Sequence, residues 1–250
     1  MEIIGNGFLA HHLQPLRDAH PGYLVLAAGV PRQQLPDRDH RREVALVDDM
    51  IRRGLRQRRT LVFFSTASMY GAPGCRGLED DPIVPSTRYG AHKRDLELRI
   101  RESGVDHLIL RLGYVLGPNG PDFRLVPALM KQILSGRVRI LRGARRDMLH
   151  VSDFVAVLDG LLGAGVANDI LNVASGDCAE ILHVVEHIER RLRLFPEHQI
   201  VEGSHVSHCP SVDKLRAVLP AFGEMGLGPG YHRHALNRYL AETGHLDRTA

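Results

Sequence analysis

LVFFSTASMYG (61–71) runs as an apolar strand into a hydroxyl-rich end, and eighteen residues after its Gly71 the chain reads YGAHK (89–93). Tyr89 and Lys93 stand four apart, a spacing that sets both on one face of a helix. A lysine ammonium near a phenol favours the phenolate, so a tyrosine of pKa ~10 in water becomes a usable acid and base at neutral pH. Thr66, at the C-terminal end of the preceding strand, can complete a Thr/Tyr/Lys site around a carbonyl or carbinol. The spacing alone also fits an ordinary helix surface, and the rest of the chain decides between the two.

Outward from this stretch, strand-like and helix-like runs alternate. Toward the N-terminus, MEIIGNGFLA is a short apolar strand running into Gly5, Gly7 and Ala10, the pattern G-x-G-x-x-A that opens a helix and cradles a pyrophosphate. GYLVLAAGV (22–30) reads as the next strand. It ends Ala27, Ala28, Gly29, without the acidic residue that normally holds the adenosine ribose, and Arg32 is the candidate to face a 2′-phosphate. A polar loop (31–40) and an amphipathic helix, REVALVDDMIRRGLRQ (42–57), complete this half.

On the other side, YGAHKRDLELRIRES (89–103) reads as a helix with Asp95/Arg99 and Glu97/Arg101 pairs, and HLILRLGYVLG (107–117) as one buried parallel strand. The alternation predicts an α/β fold with a doubly wound, mostly parallel sheet. After the turn-rich PNGPDF (118–123) come a helix (124–135), the strand VRIL (138–141), an Arg-rich loop, a helix (152–162), the strand DILNVAS (169–175), a helix (179–194) and a last helix near 231–242. The predicted division is a dinucleotide-binding core over 1–117 and a mainly substrate-binding lobe over 118–250, with segments near 143–175 returning to the core.

Composition narrows the function classes. In 250 residues, 44% hydrophobic and 24% charged, a formal charge of +3 gives no basic surface for nucleic acid. Of 32 basic residues only three are lysines, and arginine clusters such as RRGLRQRR (52–59) read as solvated helix face. No apolar run approaches the ~20 residues of a membrane span. Cys75, Cys178 and Cys209 are odd in number and lack paired spacing, and the chain opens on a strand with no charged-then-apolar leader, so free thiols and a cytoplasmic location are expected.

Taken together, these segments resemble the extended short-chain dehydrogenase/reductase superfamily, in its nucleotide-sugar epimerase/dehydratase branch. In order, the resemblance rests on IGNGFLA (4–10), LVLAAG (24–29), FFSTASMYG (63–71), PSTRYGAHK (85–93), LRLGYVLGP (110–118), LVPALMKQILSGRVRIL (125–141), RRDMLHVSDFV (145–155) and LNVAS (171–175). It implies Tyr89 as catalytic acid/base, Thr66 as its hydroxyl partner, and Lys93 as the residue that tunes the tyrosine and bonds the nicotinamide ribose. Gly5, Asn6, Gly7, Phe8 and Leu9 match the pyrophosphate loop. Ala27, Ala28 and Gly29 match the wall beside the cofactor, NAD or NADP. Arg146 matches an arginine that grips a substrate diphosphate, and Ser68 falls on the substrate side. A nucleotide-linked sugar as substrate and a homodimer formed through the YxxxK helix follow by analogy.

Departures from the family pattern narrow this reading. Only about twenty residues separate the glycine turn from LVLAAG, so either the family's second strand, its helix and its third strand are missing, or 22–30 is the second strand and a later unit is lost. Ile4 and Ala10 replace two glycines. Ala67 and Ser68 stand where the 4,6-dehydratases carry an Asp-Glu pair, which argues against dehydration and leaves 4-epimerisation or 4-keto reduction, in bacterial glycan or natural-product sugar biosynthesis. Tyr114 replaces a family asparagine near the sugar. The alternative class is a non-catalytic sensor or scaffold of the same fold. His183, Glu186 and His187 spell H-x-x-E-H, and His205, His208 and Cys209 cluster in sequence; neither set is expected to hold metal.

Overall fold

Alternating side chains on β-strands point to opposite faces, and here both faces are apolar, so the strands form a sheet that must be covered twice. The computed structural model describes residues 1–29, 36–70, 75–202 and 207–246. Gly71, Arg32 and His205 lie outside the described residues. In chain order the elements are β1 (Glu2–Ile4), α1 (Phe8–His12), β2 (Tyr23–Leu26), α2 (Asp37–Gln57), β3 (Thr60–Thr66), α3 (Arg88–Glu102), β4 (His107–Leu112), β5 (Tyr114–Leu116) and α4 (Leu125–Leu134). They continue as β6 (Arg137–Leu141), β7 (Arg145–His150), α5 (Val151–Gly163), β8 (Asp169–Val173), β9 (Cys178–Glu180), α6 (Ile181–Leu192), β10 (Glu197–Val201), α7 (Asp213–Val218) and α8 (Tyr231–Glu242).

The main sheet runs β1-β2-β3-β4-β8 and is parallel throughout. Along β3, Leu61 and Phe63 meet Val47, Met50, Leu96 and Ile100 of α2 and α3, while Val62 and Phe64 turn to the opposite core with α1 and α5. The fold is thus the expected α/β, Rossmann-like arrangement with helices on both faces. In the classic strand order 3-2-1-4-5-6 the first strand is flanked on both sides. Here β1 is at the edge and β2 takes the fourth strand's place, which favours the first of the two shortened-sheet readings. One consequence is topological. The β1–α1–β2 and β2–α2–β3 connections step the same way across the sheet on opposite faces, so they have opposite hands, and one departs from the right-handed rule.

Several elements differ from the sequence reading. HLILRLGYVLG breaks at Gly113, where an added Cβ would lie 3.2 Å from that of Ala174, and β5 leaves to join β7 and β9 in a second sheet. The Arg-rich loop is partly strand β7, parallel to β5 and antiparallel to β9. β10, in the stretch between the last two predicted helices where the sequence reading placed no element, pairs with β6. Cys178 and Cys209 form a disulfide, their Cα atoms 5.4 Å apart, which corrects the expectation of unpaired thiols; Cys75 is free. The pairing arises because Arg146 on β7 pairs with Ala179 on one side and bridges His208 on the other, so no local spacing announces it. No helix among the described residues is long and apolar enough to cross a membrane.

Candidate active site

Thr66 ends β3 and caps the 3-10 turn of residues 67–69. Its Oγ1 accepts from the Ser68 amide at 3.1 Å and donates to Ser68 Oγ at 2.9 Å, holding both hydroxyls at the carboxyl edge of the sheet where ligands of open α/β folds bind. Thr87 begins α3 by accepting from the Gly90 amide at 3.0 Å, which puts Tyr89 in the first turn and Lys93 in the second. The Lys93 Nζ lies 5.9 Å from the centre of the Tyr89 ring and donates to the Phe64 carbonyl at 3.2 Å.

Lys93 is only 4% exposed, and its carboxylate partner is one the sequence reading did not name. Glu43 of α2, 2% exposed, accepts from Lys93 Nζ at 2.6 Å through Oε1, and its Oε2 lies 3.0 Å from His92 Nε2. Burial alone would lower the lysine pKa, but attraction from Tyr89 and Glu43 outweighs it and holds Lys93 above its ordinary value. Gly29 makes room for the pair: a Cβ there would stand 2.9 Å from Glu43 Oε1 and 3.2 Å from Lys93 Nζ. The signal for Glu43 was present in the sequence, since it shares the apolar face of α2 with Val47 and Met50, where a lone carboxylate needs a partner.

A cavity of about 670 Å³ joins these groups to the N-terminal turn. Asn6, Gly7, Phe8, Leu9, Ala27, Ala28, Gly29, Thr66, Tyr89 and Lys93 all line it. Gly5 lies behind the wall at φ +133°, so close to β2 that a Cβ would meet the Ala27 carbonyl oxygen at 2.5 Å. Asp39, Arg42 and Glu43 of α2 add a polar side, with Leu46 beside them; the sequence reading assigned Asp39 to a polar loop and the other three to an ordinary amphipathic helix. Ser68 reaches the site through Thr66, whereas Arg146 is not among the described lining residues; its Nη1 donates to the Arg145 carbonyl at 2.7 Å. Arg124 lines the cavity too, its guanidinium 5.8 Å from the Phe8 ring and 5.3 Å from the Tyr114 ring. The Tyr114 hydroxyl accepts from the Val126 amide at 3.0 Å, so it anchors the start of α4.

Beneath Thr66 a buried polar network braces the sheet. Arg111 of β4 grips Glu97 of α3 with two bonds of 3.0 and 2.8 Å, Ser65 Oγ donates to Glu97 Oε1 at 2.6 Å, and Arg111 Nη1 donates to the Tyr70 hydroxyl at 2.7 Å. Tyr70 in turn donates to Asn172 Oδ1 at 2.8 Å, and burial pushes its pKa up to about 12. The pairs expected along α3 are therefore replaced: Glu97 turns inward to Arg111, and Arg99 reaches across to Asp48 of α2. Of H-x-x-E-H, His187 bonds Asn237 Oδ1 at 3.0 Å. Among the described residues no group of three His, Cys, Asp or Glu side chains is placed to hold a metal ion.

The model of the NAD dependent epimerase/dehydratase family matches residues 13–174. The UDP-glucose 4-epimerase of Azospirillum brasilense is 31% identical over 159 residues, 52% of this chain and 45% of that protein. A dTDP-glucose 4,6-dehydratase of Streptomyces niveus is 27% identical over 135 residues, 51% of this chain and 40% of that protein. The chain thus spans less than half the length of these relatives. Among solved structures, that of RMD from Pseudomonas aeruginosa complexed with NADPH aligns with a TM-score of 0.77 over 98% of each chain at 19% identity, a likeness of fold.

Proposed function

The chain belongs to the NAD dependent epimerase/dehydratase family, and we propose that it is an NAD(P)-dependent oxidoreductase or epimerase that works on one carbon of a nucleotide-linked sugar, by 4-epimerisation or 4-keto reduction. The observation that carries this reading is that Thr66, Tyr89 and Lys93 face the same cavity as the glycine turn. A lone YxxxK on a helix surface would not meet that turn.

The residues at the cavity wall suit the nicotinamide and pyrophosphate portions of the cofactor. A Cβ on Gly7 would meet nothing within 4 Å, so backbone there is open to a diphosphate, and Gly5 lets β1 close against β2. When bound, the cofactor supplies hydride exchange with a sugar carbon. The chain's own part is to position and to move a proton. Tyr89 transfers the proton of the reacting hydroxyl, Thr66 hydrogen-bonds the same oxygen, and the Lys93 ammonium stabilises the phenolate as it forms. Dehydration lies outside this reading, because Ala67 carries no titratable group and Ser68 is tied to Thr66.

The test is a panel of nucleotide-linked hexoses and their 4-keto forms, incubated with NADH and with NADPH. Loss of reduced-nicotinamide absorbance identifies reduction, and an altered sugar without net loss identifies epimerisation. Tyr89→Phe is expected to lower either rate by about 10²- to 10⁴-fold, the usual share of a general acid or base, with the fold intact by circular dichroism. Unchanged turnover in that variant would sink the mechanism, and no turnover on any sugar would favour the sensor class.

A further inference from the structure

The Lys93–Glu43 pair has a consequence for Tyr89 that the three-residue description of the site leaves out. We propose that Glu43 is the positioning residue that sets the pH range over which Tyr89 gives up its proton, acting through the charge and place of Lys93. The proposal deepens the functional reading above and rests on it for its catalytic meaning.

Lys93 is a buried cation near the Tyr89 ring, and an unscreened ammonium there would favour the phenolate strongly. Glu43 Oε1 at 2.6 Å puts a compensating negative charge against the same ammonium, in a pocket where both partners are nearly inaccessible to water. Water and salt therefore screen the pair little, and its field reaches Tyr89. The pair is also held in place from several sides. Gly29 leaves space for the carboxylate, His92 takes its second oxygen, and the Phe64 carbonyl takes another ammonium proton.

The charged and titratable groups facing the pair are few among the described residues. α3 contributes Tyr89, His92 and, at longer range, Glu97. α2 contributes Glu43 and His40, whose ring stands 4.4 Å from that of His92 and whose Nε2 has no described partner. β3 offers only the Phe64 carbonyl and the Phe63 ring, 4.8 Å from Nζ. Asp39, Arg42 and Arg124 line the cavity. Of these, Glu43 is the carboxylate in direct contact with the ammonium, so neutralising it should change the balance at Tyr89 most.

The experiment needs no cofactor or sugar. Phenolate absorbance of the cofactor-free protein is titrated against pH, and the curve of Tyr89→Phe is subtracted to isolate Tyr89. In Glu43→Gln the Tyr89 midpoint is expected to fall by about one pH unit, a tenfold larger ionisation constant. Glu43→Asp, which keeps the charge, should stay nearer the unsubstituted protein. In Lys93→Met the midpoint should rise, and adding Glu43→Gln to it should change little, the non-additivity expected of an effect routed through the lysine. Should Glu43→Gln fail to fold, Glu43→Met, which removes the same charge at similar size, is expected to move the midpoint in the same direction. A midpoint unmoved or raised in folded Glu43→Gln or Glu43→Met overturns the proposal, because a merely structural ion pair would leave Tyr89 where it was. If the sugar panel finds a 4-keto substrate, the alkaline fall in the reduction rate should move to lower pH in Glu43→Gln. A shifted titration with no active sugar would instead keep the electrostatic coupling and reject the enzymatic reading.

Discussion

β4 and β1 lie in the same parallel sheet but are held by different means. β4 is buried along its centre, flanked by β3 and β8, and pinned from below by the Arg111–Glu97 pair, both residues at 1% exposure or less. β1 is three half-buried residues at the sheet edge, and its Glu2 reaches Arg53 and Arg59 in partly exposed ion pairs. The contrast separates what the two ends of the site require. Thr66, Tyr89 and Lys93 must be held relative to one another, which needs β3, α3 and their neighbours to be rigid. The glycine turn needs only that β1 close against β2, so flanking strands can be absent while the turn survives.

Substitutions at the centre of the sheet should cost more than those at its edge. Glu97→Gln leaves the Arg111 guanidinium buried without its carboxylate and should cost about 3–5 kcal/mol, read as a lowered urea midpoint at unchanged m-value. A loss below about 1 kcal/mol would mean that the network does not brace the sheet.

The opposite edge, at β8, differs again because a buried carboxylate of β7 ties its end. Asp147 of β7 accepts from Ser175 and Gly176 just beyond β8, and burial pushes its pKa up to about 7. A carboxyl raised in the folded state contributes stability that is fully present at acidic pH and lost as pH rises through about 7. His208, lowered by burial and by Arg146 to about 4, contributes stability present near neutrality and lost as pH falls toward about 4. Asp147→Asn should therefore gain stability relative to the unsubstituted chain as pH rises from about 4 to 7, and His208→Gln should gain as pH falls over that window. Each change is of order 1–3 kcal/mol, measured by denaturant unfolding across pH, and equal slopes in both variants would contradict the assignment.

At the other end, Gly5→Ala forces β1 from β2 at the Ala27 carbonyl and should cost about 1–3 kcal/mol together with weaker binding of the reduced nicotinamide cofactor, followed by its fluorescence. Glu2→Gln is the smallest change expected, within about 1 kcal/mol because its ion pairs are partly solvated. A loss at Glu2 as large as that at Glu97 would show that the edge is as tightly determined as the centre.

The parts of the site legible in the chain were those written locally. Tyr89 and Lys93 are four apart on one helix, Thr66 ends an apolar strand, and Gly5 and Gly7 follow the first strand directly. What escaped was set by contacts distant in sequence. Glu43 meets Lys93 across fifty residues, Cys178 meets Cys209 across 31, and β7 is a strand only because β5 and β9 flank it. The helical pairs expected for Glu97 and Arg99 failed for a related reason. An i,i+4 pair on a solvated face contributes only about 0.2–0.5 kcal/mol, too little to compete once packing turns Glu97 toward a buried guanidinium.

Local sequence specifies the alternation of strand and helix, the glycine turn and the spacing of the hydroxyl, phenol and ammonium, because each depends on neighbours within a turn or a strand. Only tertiary packing set that β1 stands at the edge, that Arg146 is not among the described lining residues, and that a carboxylate from α2 stands against Lys93. Those outcomes depend on which faces pack together, and burying a charge makes its partner obligatory without saying from where along the chain that partner comes.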